Sequence, residues 1–158
     1  MSNSARNIFV SHFNKDEDKI QNLKDLVKNK EGVSLKNYSI DGSKPNDAKN
    51  EEYVKSLLRE GIKAAGTLVV LIGNKTHERW WVDWEIEQAH KLGKRIVGVY
   101  LHGASESDVP ENFDKYGDSL VGWQAEKVID SIDGKINNME KPDGNPRDTK
   151  WRNESGEC

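Results

Sequence analysis

The residues best placed to do chemistry lie in one stretch of the chain, HERWWVDWEIEQAHKLGK, at residues 77–94. Three of the five tryptophans fall within five positions there, around two carboxylates: Trp80, Trp81, Asp83, Trp84 and Glu85. A carboxylate held among indole rings loses hydration, and burial of that kind raises its pKa. Perturbed carboxylates are typical of functional sites, so this stretch is where we expect an acidic or charge-stabilising group.

A helix through this stretch separates the two carboxylates. At about 100° per residue, one side of the helix collects Trp81, Val82, Ile86, Ala89 and Leu92. The other side, which we expect to point away from the core, carries Asp83, Glu87, His90 and Lys91. Glu85 falls inside the apolar arc, between Trp81 and Leu92, so we predict that Glu85 is the functional carboxylate. Trp84 lies nearer the polar side, where we expect it to be available for stacking on a ligand or partner.

A second interpretation gives Glu85 no function. The side chain would then lie at the edge of the core, reaching solvent or pairing with Arg79 or Lys63, and the tryptophans would be ordinary packing residues. The pattern alone favours neither interpretation.

Several other kinds of site lack their sequence signatures. The chain has no GxxxxGK[ST] phosphate loop, no GxGxxG dinucleotide motif and no GxSxG nucleophile elbow. The apolar run that ends at Ile72 is followed by Gly73 and Asn74, so it carries no aspartate that could accept a phosphoryl group. The histidines are too scattered to predict a metal site: His12, His77, His90 and His102.

The segments that must position Glu85 alternate between strand and helix patterns. Strands are predicted at 7–11, 33–40, 67–73 and 95–101, with a short fifth strand at 119–123. Helices are predicted at 16–29, 50–64, 78–92 and 125–136. The run TLVVLIG alternates with nothing polar, which places it at the centre of a sheet. This order predicts a doubly wound α/β fold, with a mainly parallel sheet, helices on both faces and a flavodoxin-like topology.

Length and composition are those of one domain. The 158 residues carry a formal charge of -3, which gives no field for attracting nucleic acid or an anionic membrane. The single cysteine, Cys158, excludes an intrachain disulfide, and no stretch approaches the roughly 20 apolar residues of a membrane span. The N-terminus lacks a signal-peptide run, so we expect a cytoplasmic protein. We predict a domain at 1–136 and a polar, flexible tail at 137–158.

Three segments together resemble a known family. NIFVSHFNKDED, SIDGSKPND and TLVVLIGNKTHERWWVDWEIEQAHKLGKRIVGVYL are similar to the TIR-like (Toll/interleukin receptor) domains of bacterial antiphage defence, especially the Thoeris signal-producing proteins. The similarity covers residues 6–102, and its most specific parts are IGNKT and a W-x-x-x-E helix followed by GKRIVGVYL. It implies a TIR-like topology for the sheet.

The resemblance also implies which residues form the site. In enzymatic TIR domains a glutamate on the helix after the third strand is catalytic, and Glu85 matches it. The loop after the first strand lines the nucleotide pocket in that family, and the matching positions here are Ser11, His12 and Phe13. The loop after the second strand also borders the pocket, which implicates Asp41 and Ser43 less strongly. We add the hypothesis that Phe13 or Trp81 stacks on a ring of the substrate.

The activity implied by the resemblance is cleavage of NAD between nicotinamide and ribose. The ADP-ribose-derived product, a cyclic isomer by family implication, would be a signal sensed by a separate effector protein, since we expect no effector domain to be attached to this chain. NAD is then a substrate, and no cofactor or metal is implied. The resemblance also allows several copies to assemble through TIR surfaces.

Two alternatives remain open from the sequence. One is a non-catalytic TIR-like interaction module, in which exposed tryptophans and the DGSKPND loop bind another protein and Glu85 only caps the core. The other is a flavodoxin-shaped protein that binds flavin or a small nucleotide.

Overall fold

The architecture comes from a computed structural model, which describes residues 5–11, 18–28, 34–37, 51–73, 76 and 80–147. The five strands are β1 (Ala5–Ser11), β2 (Ser34–Asn37), β3 (Thr67–Ile72), β4 (Arg95–Tyr100) and β5 (Ser119–Val121). The five helices are α1 (Asp18–Lys28), α2 (Glu51–Ala64), α3 (Trp80–Lys91), α4 (Glu111–Tyr116) and α5 (Ala125–Ile132).

The strands form one parallel sheet in the order β2-β1-β3-β4-β5. The central strand is β3, whose six residues are all buried, as expected for an unbroken apolar run covered on both faces. The chain winds from β1 out to β2 and then returns past β1 to β3, so the winding direction reverses between β1 and β3. In sheets of this kind ligands bind outside the carboxyl ends of the strands at that reversal. The predicted doubly wound α/β fold is confirmed.

Helices cover both faces of the sheet. On one face, strand residues such as Phe9 and Val70 pack against Ile62 of α2, Ile86 of α3 and Phe113 of α4. On the other face, residues such as Val10, Leu71 and Val99 pack against Leu23 of α1 and Val128 of α5. We call the first side the α3 face. The alternation of side chains along each strand divides the core in this way.

The helix α4 was not predicted from the sequence. Its six residues, ENFDKY, contain one fully buried side chain, Phe113, which gives too little apolar periodicity to indicate a helix. The bounds of other predicted elements differ by a few residues: β1, predicted from 7, begins at Ala5, and the closing helix, predicted to Ile136, ends at Ile132. Leu92, predicted to lie in the apolar arc of α3, follows the end of that helix and is 39% exposed.

The segment after α5 corrects the prediction of a flexible tail beginning at 137. Met139 is 4% exposed within the core of the α3 face, and it forms a parallel bridge with Leu120 of β5. Arg147 forms ion pairs with Asp114 and Glu106 at 2.9 and 2.8 Å. Residues 137–147 therefore pack on the domain, and residues 148–158 lie outside the described part of the chain. Within the described residues, no helix combines the length and apolar character needed to cross a membrane.

Candidate functional site at the carboxyl end of β1

Glu85 is buried in the second turn of α3. Its neighbours on the inner side of the helix, Val82, Ile86 and Ala89, are completely buried, and Glu85 itself is 4% exposed. The apolar arc derived from the sequence therefore places Glu85 correctly against the body of the domain. The part of the second interpretation in which Glu85 reaches solvent is therefore wrong.

The hydrogen-bond partner of Glu85 is a serine at the end of β1. The Ser11 hydroxyl donates to Oε1 of Glu85 at 2.5 Å, although the two residues are 74 positions apart in the chain. Ser11 is two residues after Phe9, so both side chains point to the α3 face. Because Ser11 ends β1, the pair lies at the carboxyl edge of the sheet, beside the reversal between β1 and β3. Arg79, one predicted alternative partner, is outside the described residues, and Lys63, the other, is exposed.

Burial dominates the electrostatics of this pair. Loss of hydration raises the pKa of Glu85 to about 8, and the hydrogen bond from Ser11 acts in the opposite direction. The Glu85 carboxyl is therefore mostly protonated at neutral pH. A cation brought against it would favour the ionised form, so the site is suited to a ligand in which positive charge is present or develops.

Trp81 lies one helical turn before Glu85, on the same side of α3. Residues four apart on a helix are neighbours, so Trp81 lies next to Glu85 along α3. Trp81 is half-buried and packs against the core of the α3 face. An aromatic ring at the edge of a buried carboxylate can cover one face of a planar ligand.

The prediction that the Trp84 ring is available for stacking on a ligand or partner is not confirmed. Trp84 is half-buried between α2 and α3, with the Arg59 guanidinium 5.3 Å and the Lys55 ammonium 5.8 Å from its ring centroid. Arg59 also donates to the Gln88 side chain at 3.2 Å. The ring therefore makes cation–π contacts that join the two helices.

The prediction that Asp83 points away from the protein is wrong. The Asp83 carboxylate accepts the backbone N–H of Asn112 at 3.1 Å, and the Asn112 side chain donates to the Asp83 carbonyl at 3.0 Å. Desolvation raises the pKa of Asp83, with the Asn112 hydrogen bond opposing it. The physical reason for the error is α4, which packs on this side of α3. His90 is exposed as expected, and its ring stacks on Tyr116 at 3.9 Å.

Two hydrogen bonds join Gly73, which follows β3, to Thr76; the sequence singled out these residues only as part of the IGNKT motif. The Thr76 hydroxyl, completely buried, accepts the Gly73 N–H at 2.8 Å, and the Thr76 N–H donates to the Gly73 carbonyl at 3.1 Å. This closed pair of hydrogen bonds fixes the backbone where β3 ends. A Gly-x-x-Thr spacing after a buried strand is the signal that could have found it.

Of the predicted site residues, the structure joins Ser11 and Glu85 by a hydrogen bond, and Trp81 lies one turn before Glu85 on the same helix. The other four predicted site residues lie outside the described residues: His12, Phe13, Asp41 and Ser43. In the described part of the chain, no three His, Cys, Asp or Glu side chains are grouped so that they could hold a metal ion.

Comparison with known proteins identifies the family. Residues 9–106, which include Glu85 and the complete strands β2, β3 and β4, match the family model described as "Thoeris protein ThsB, TIR-like domain". The chain is also 31% identical over 86 residues to a protein of Bacillus cereus (strain MSX-D12) named "Putative cyclic ADP-D-ribose synthase ThsB1". That similarity spans 49% of this chain and 45% of the relative, so less than half of the relative is covered. The chain belongs to the family of Thoeris ThsB proteins with a TIR-like domain.

Proposed function

We propose that this protein cleaves NAD, releases nicotinamide and converts the remaining ADP-ribose into a signal, a cyclic isomer, in antiphage defence. The observation that carries the proposal is the buried Glu85 carboxyl at the carboxyl edge of the sheet, hydrogen-bonded by Ser11. Membership of the Thoeris family supports the setting, and the name of the Bacillus cereus relative supports the cyclic product.

The reaction requires one carboxylate that stabilises a developing positive charge. The bond between the nicotinamide nitrogen and C1′ of the ribose breaks, and its electron pair leaves with the neutral nicotinamide. Positive charge then builds on the ribose as an oxocarbenium-like centre, which a fixed carboxylate stabilises. A nucleophilic atom elsewhere in the ADP-ribose then forms a bond to C1′, which closes a ring with release of one proton. Alternatively, water forms the bond to C1′ and loses a proton, which gives open ADP-ribose.

The raised pKa of Glu85 fits this role. NAD brings a pyridinium cation, and a cation near Glu85 favours the carboxylate over the neutral acid. The ionised group is therefore formed most readily when the substrate occupies the site. A carboxylate shielded from water also interacts more strongly with the transition-state charge than one in solvent.

Other residues would hold the substrate. Trp81, half-buried beside Glu85, or Phe13 would stack on a ring, and the loop containing His12 would contact ribose or phosphate. Asp41 and Ser43 would border the same pocket from the loop after β2. NAD acts as a substrate in this proposal, so no further cofactor is required. A separate effector would sense the product in the cytoplasm, and copies of the domain could assemble through TIR surfaces.

The experiment compares two neighbouring glutamates of α3. Nicotinamide release from NAD is measured with the wild type, Glu85→Gln and Glu87→Gln; Glu87 is 43% exposed and pairs with Lys91 at 3.6 Å. Glu85→Gln keeps the side-chain shape without the charge, so release should fall at least about 100-fold, whereas Glu87→Gln should act like the wild type. The products of NAD cleavage are also measured in cells that make each variant, with and without phage challenge, because the protein could require a trigger that the purified preparation lacks. Equal nicotinamide release by Glu85→Gln and an active wild type would exclude Glu85 as the catalytic group, and no release by the wild type even in phage-challenged cells would favour the interaction module.

A further inference from the structure

The single proton of the Ser11 hydroxyl is directed to Glu85. A serine hydroxyl can donate one hydrogen bond, and here the donor reaches Oε1 of Glu85 at 2.5 Å. Ser11 is 1% exposed, so water does not compete for that proton. The resemblance places Ser11 at the border of the nucleotide pocket; because its only donor is engaged by Glu85, the hydroxyl has no proton left to donate to a phosphate oxygen.

We propose that Ser11 is a positioning residue for Glu85: it holds Oε1, so that Oε2 is the oxygen that meets the ribose. This inference rests on the proposed function. It assigns Ser11 to the carboxylate rather than to the nucleotide, and it divides the two carboxylate oxygens between the protein and the substrate.

The placement of the pair supports this role. Ser11 is the last residue of β1 and pairs with Val70 of the central strand β3, so its backbone is held by the sheet. Glu85 has three side-chain torsions, and a carboxylate that must meet a reacting atom has to be held in one of their combinations. A hydroxyl anchored on a strand provides that restraint from the side opposite to the helix.

The hydrogen bond also has an electrostatic consequence. A donor to a carboxylate stabilises the ionised form, so Ser11 lowers the pKa of Glu85 against the effect of burial. The charged groups on the neighbouring elements are directed elsewhere: Lys55 and Arg59 of α2 lie over Trp84, and Asp83 bonds to Asn112 at the start of α4. Within the described residues, burial and Ser11 are the two influences on the Glu85 pKa.

The chain offers a matched control for removing this hydroxyl. Ser131 in α5 is also completely buried, and among the described residues its hydroxyl has no hydrogen-bond partner. Ser131 lies on α5, which covers the opposite face of the sheet. Ser131→Ala therefore removes the same atom from an equally buried serine without touching Glu85.

The first test measures nicotinamide release over a range of about pH 5 to 9 for the wild type, Ser11→Ala, Ser11→Thr and Ser131→Ala. Losing a hydrogen bond to a charged group should lower kcat of Ser11→Ala about 10- to 100-fold, with KM changed much less. The rise of kcat/KM with pH should move about one pH unit higher. Ser11→Thr keeps the hydroxyl and should recover part of the activity, and Ser131→Ala should match the wild type. Ser11→Ala with the kcat and pH profile of Ser131→Ala would overturn the proposal.

The second test does not depend on turnover. The side-chain carboxyl carbon of Glu85 is followed by NMR, and its resonance is identified by its loss in Glu85→Gln. Its titration midpoint should be higher in Ser11→Ala than in the wild type and unchanged in Ser131→Ala; equal midpoints in all three would overturn the proposal. If Ser11→Ala does not fold, Ser11→Cys, which keeps the volume and weakens the donor, takes its place. An active Glu85→Gln would refute the proposed function, whereas this titration still decides the role of Ser11.

Discussion

The ring of Phe113 in α4 lies directly against Gly98 in β4. A Cβ added at Gly98 would stand 2.7 Å from Cζ of Phe113, closer than carbon atoms can approach without displacement. Phe113 is completely buried, so the ring has little room to move. This contact holds α4 on the sheet. The Asn112 N–H of α4 in turn donates a hydrogen bond to Asp83 of α3, the helix that carries Glu85.

Gly98→Ala should destabilise the domain by about 1–3 kcal/mol, because overpacking forces the ring or the strand to shift. Gly66→Ala is the control, since a Cβ there would meet only the Asn7 carbonyl at an ordinary 3.8 Å. Urea unfolding followed by circular dichroism measures both variants. A Gly98→Ala protein as stable as Gly66→Ala would contradict the close packing of β4 and α4.

Glu85 should make the stability of the fold depend on pH. Its pKa is about 8 in the folded protein against an ordinary value of 4.5. Below pH 4.5 the carboxyl is protonated in both the folded and the unfolded state, so its burial carries no ionisation penalty. As pH rises from there, the unfolded state ionises first and the folded state loses about 1.4 kcal/mol per pH unit until the folded pKa is passed.

Glu85→Gln should remove this dependence. The variant should match the wild type near the ordinary glutamate pKa and exceed its free energy of unfolding by up to several kcal/mol above about pH 8. Urea unfolding of both proteins across this range gives the difference, in which the other titrating groups cancel. A constant difference at all pH values would mean that Glu85 is not buried as a neutral acid.

Met139 should contribute to the core although the surrounding sequence is polar. Met139→Ala should lower the free energy of unfolding by about 2–4 kcal/mol, because a nearly fully buried side chain leaves a cavity. Lys135→Ala, at an exposed position in the same region, should change it by less than about 0.5 kcal/mol. Equal stabilities would restore the prediction that the segment from 137 onward is a tail.

Binding of NAD should lower the pKa of Glu85, and binding of NADH should not. The nicotinamide ring of NAD carries a positive charge and that of NADH is neutral, so only NAD favours the ionised carboxylate. The carboxyl carbon resonance of Glu85, followed by NMR during pH titration with each nucleotide, separates the two cases. The same midpoint with both nucleotides would place the nicotinamide away from Glu85.

The sequence predicts the fold well because its strongest signals are long and regular. The run TLVVLIG could be placed at the sheet centre, and the helical projection placed Glu85 on the inner side of α3, since both depend on local periodicity. The hydrogen bond between Ser11 and Glu85 could not be predicted, because a projection gives a direction and not the strand end that it faces. The site residues of the loops after β1 and β2 remain predictions.

The errors have a common cause, which is a missing neighbour. Asp83 was predicted to be solvated because nothing indicated α4, and Trp84 was predicted to be available because the sequence does not show that α2 brings Lys55 and Arg59 over its ring. Met139 stands alone in a polar segment, so no periodic pattern marked it as a core residue.

Nicotinamide release from NAD measures the role of Glu85 most directly, when Glu85→Gln and Glu87→Gln are purified in the same way and also compared in cells exposed to phage. Glu87→Gln should release nicotinamide at the wild-type rate, whereas Glu85→Gln, which should fold and be more stable above about pH 8, should release almost none. Nicotinamide release by Glu85→Gln at the wild-type rate would show that Glu85 is not the catalytic group.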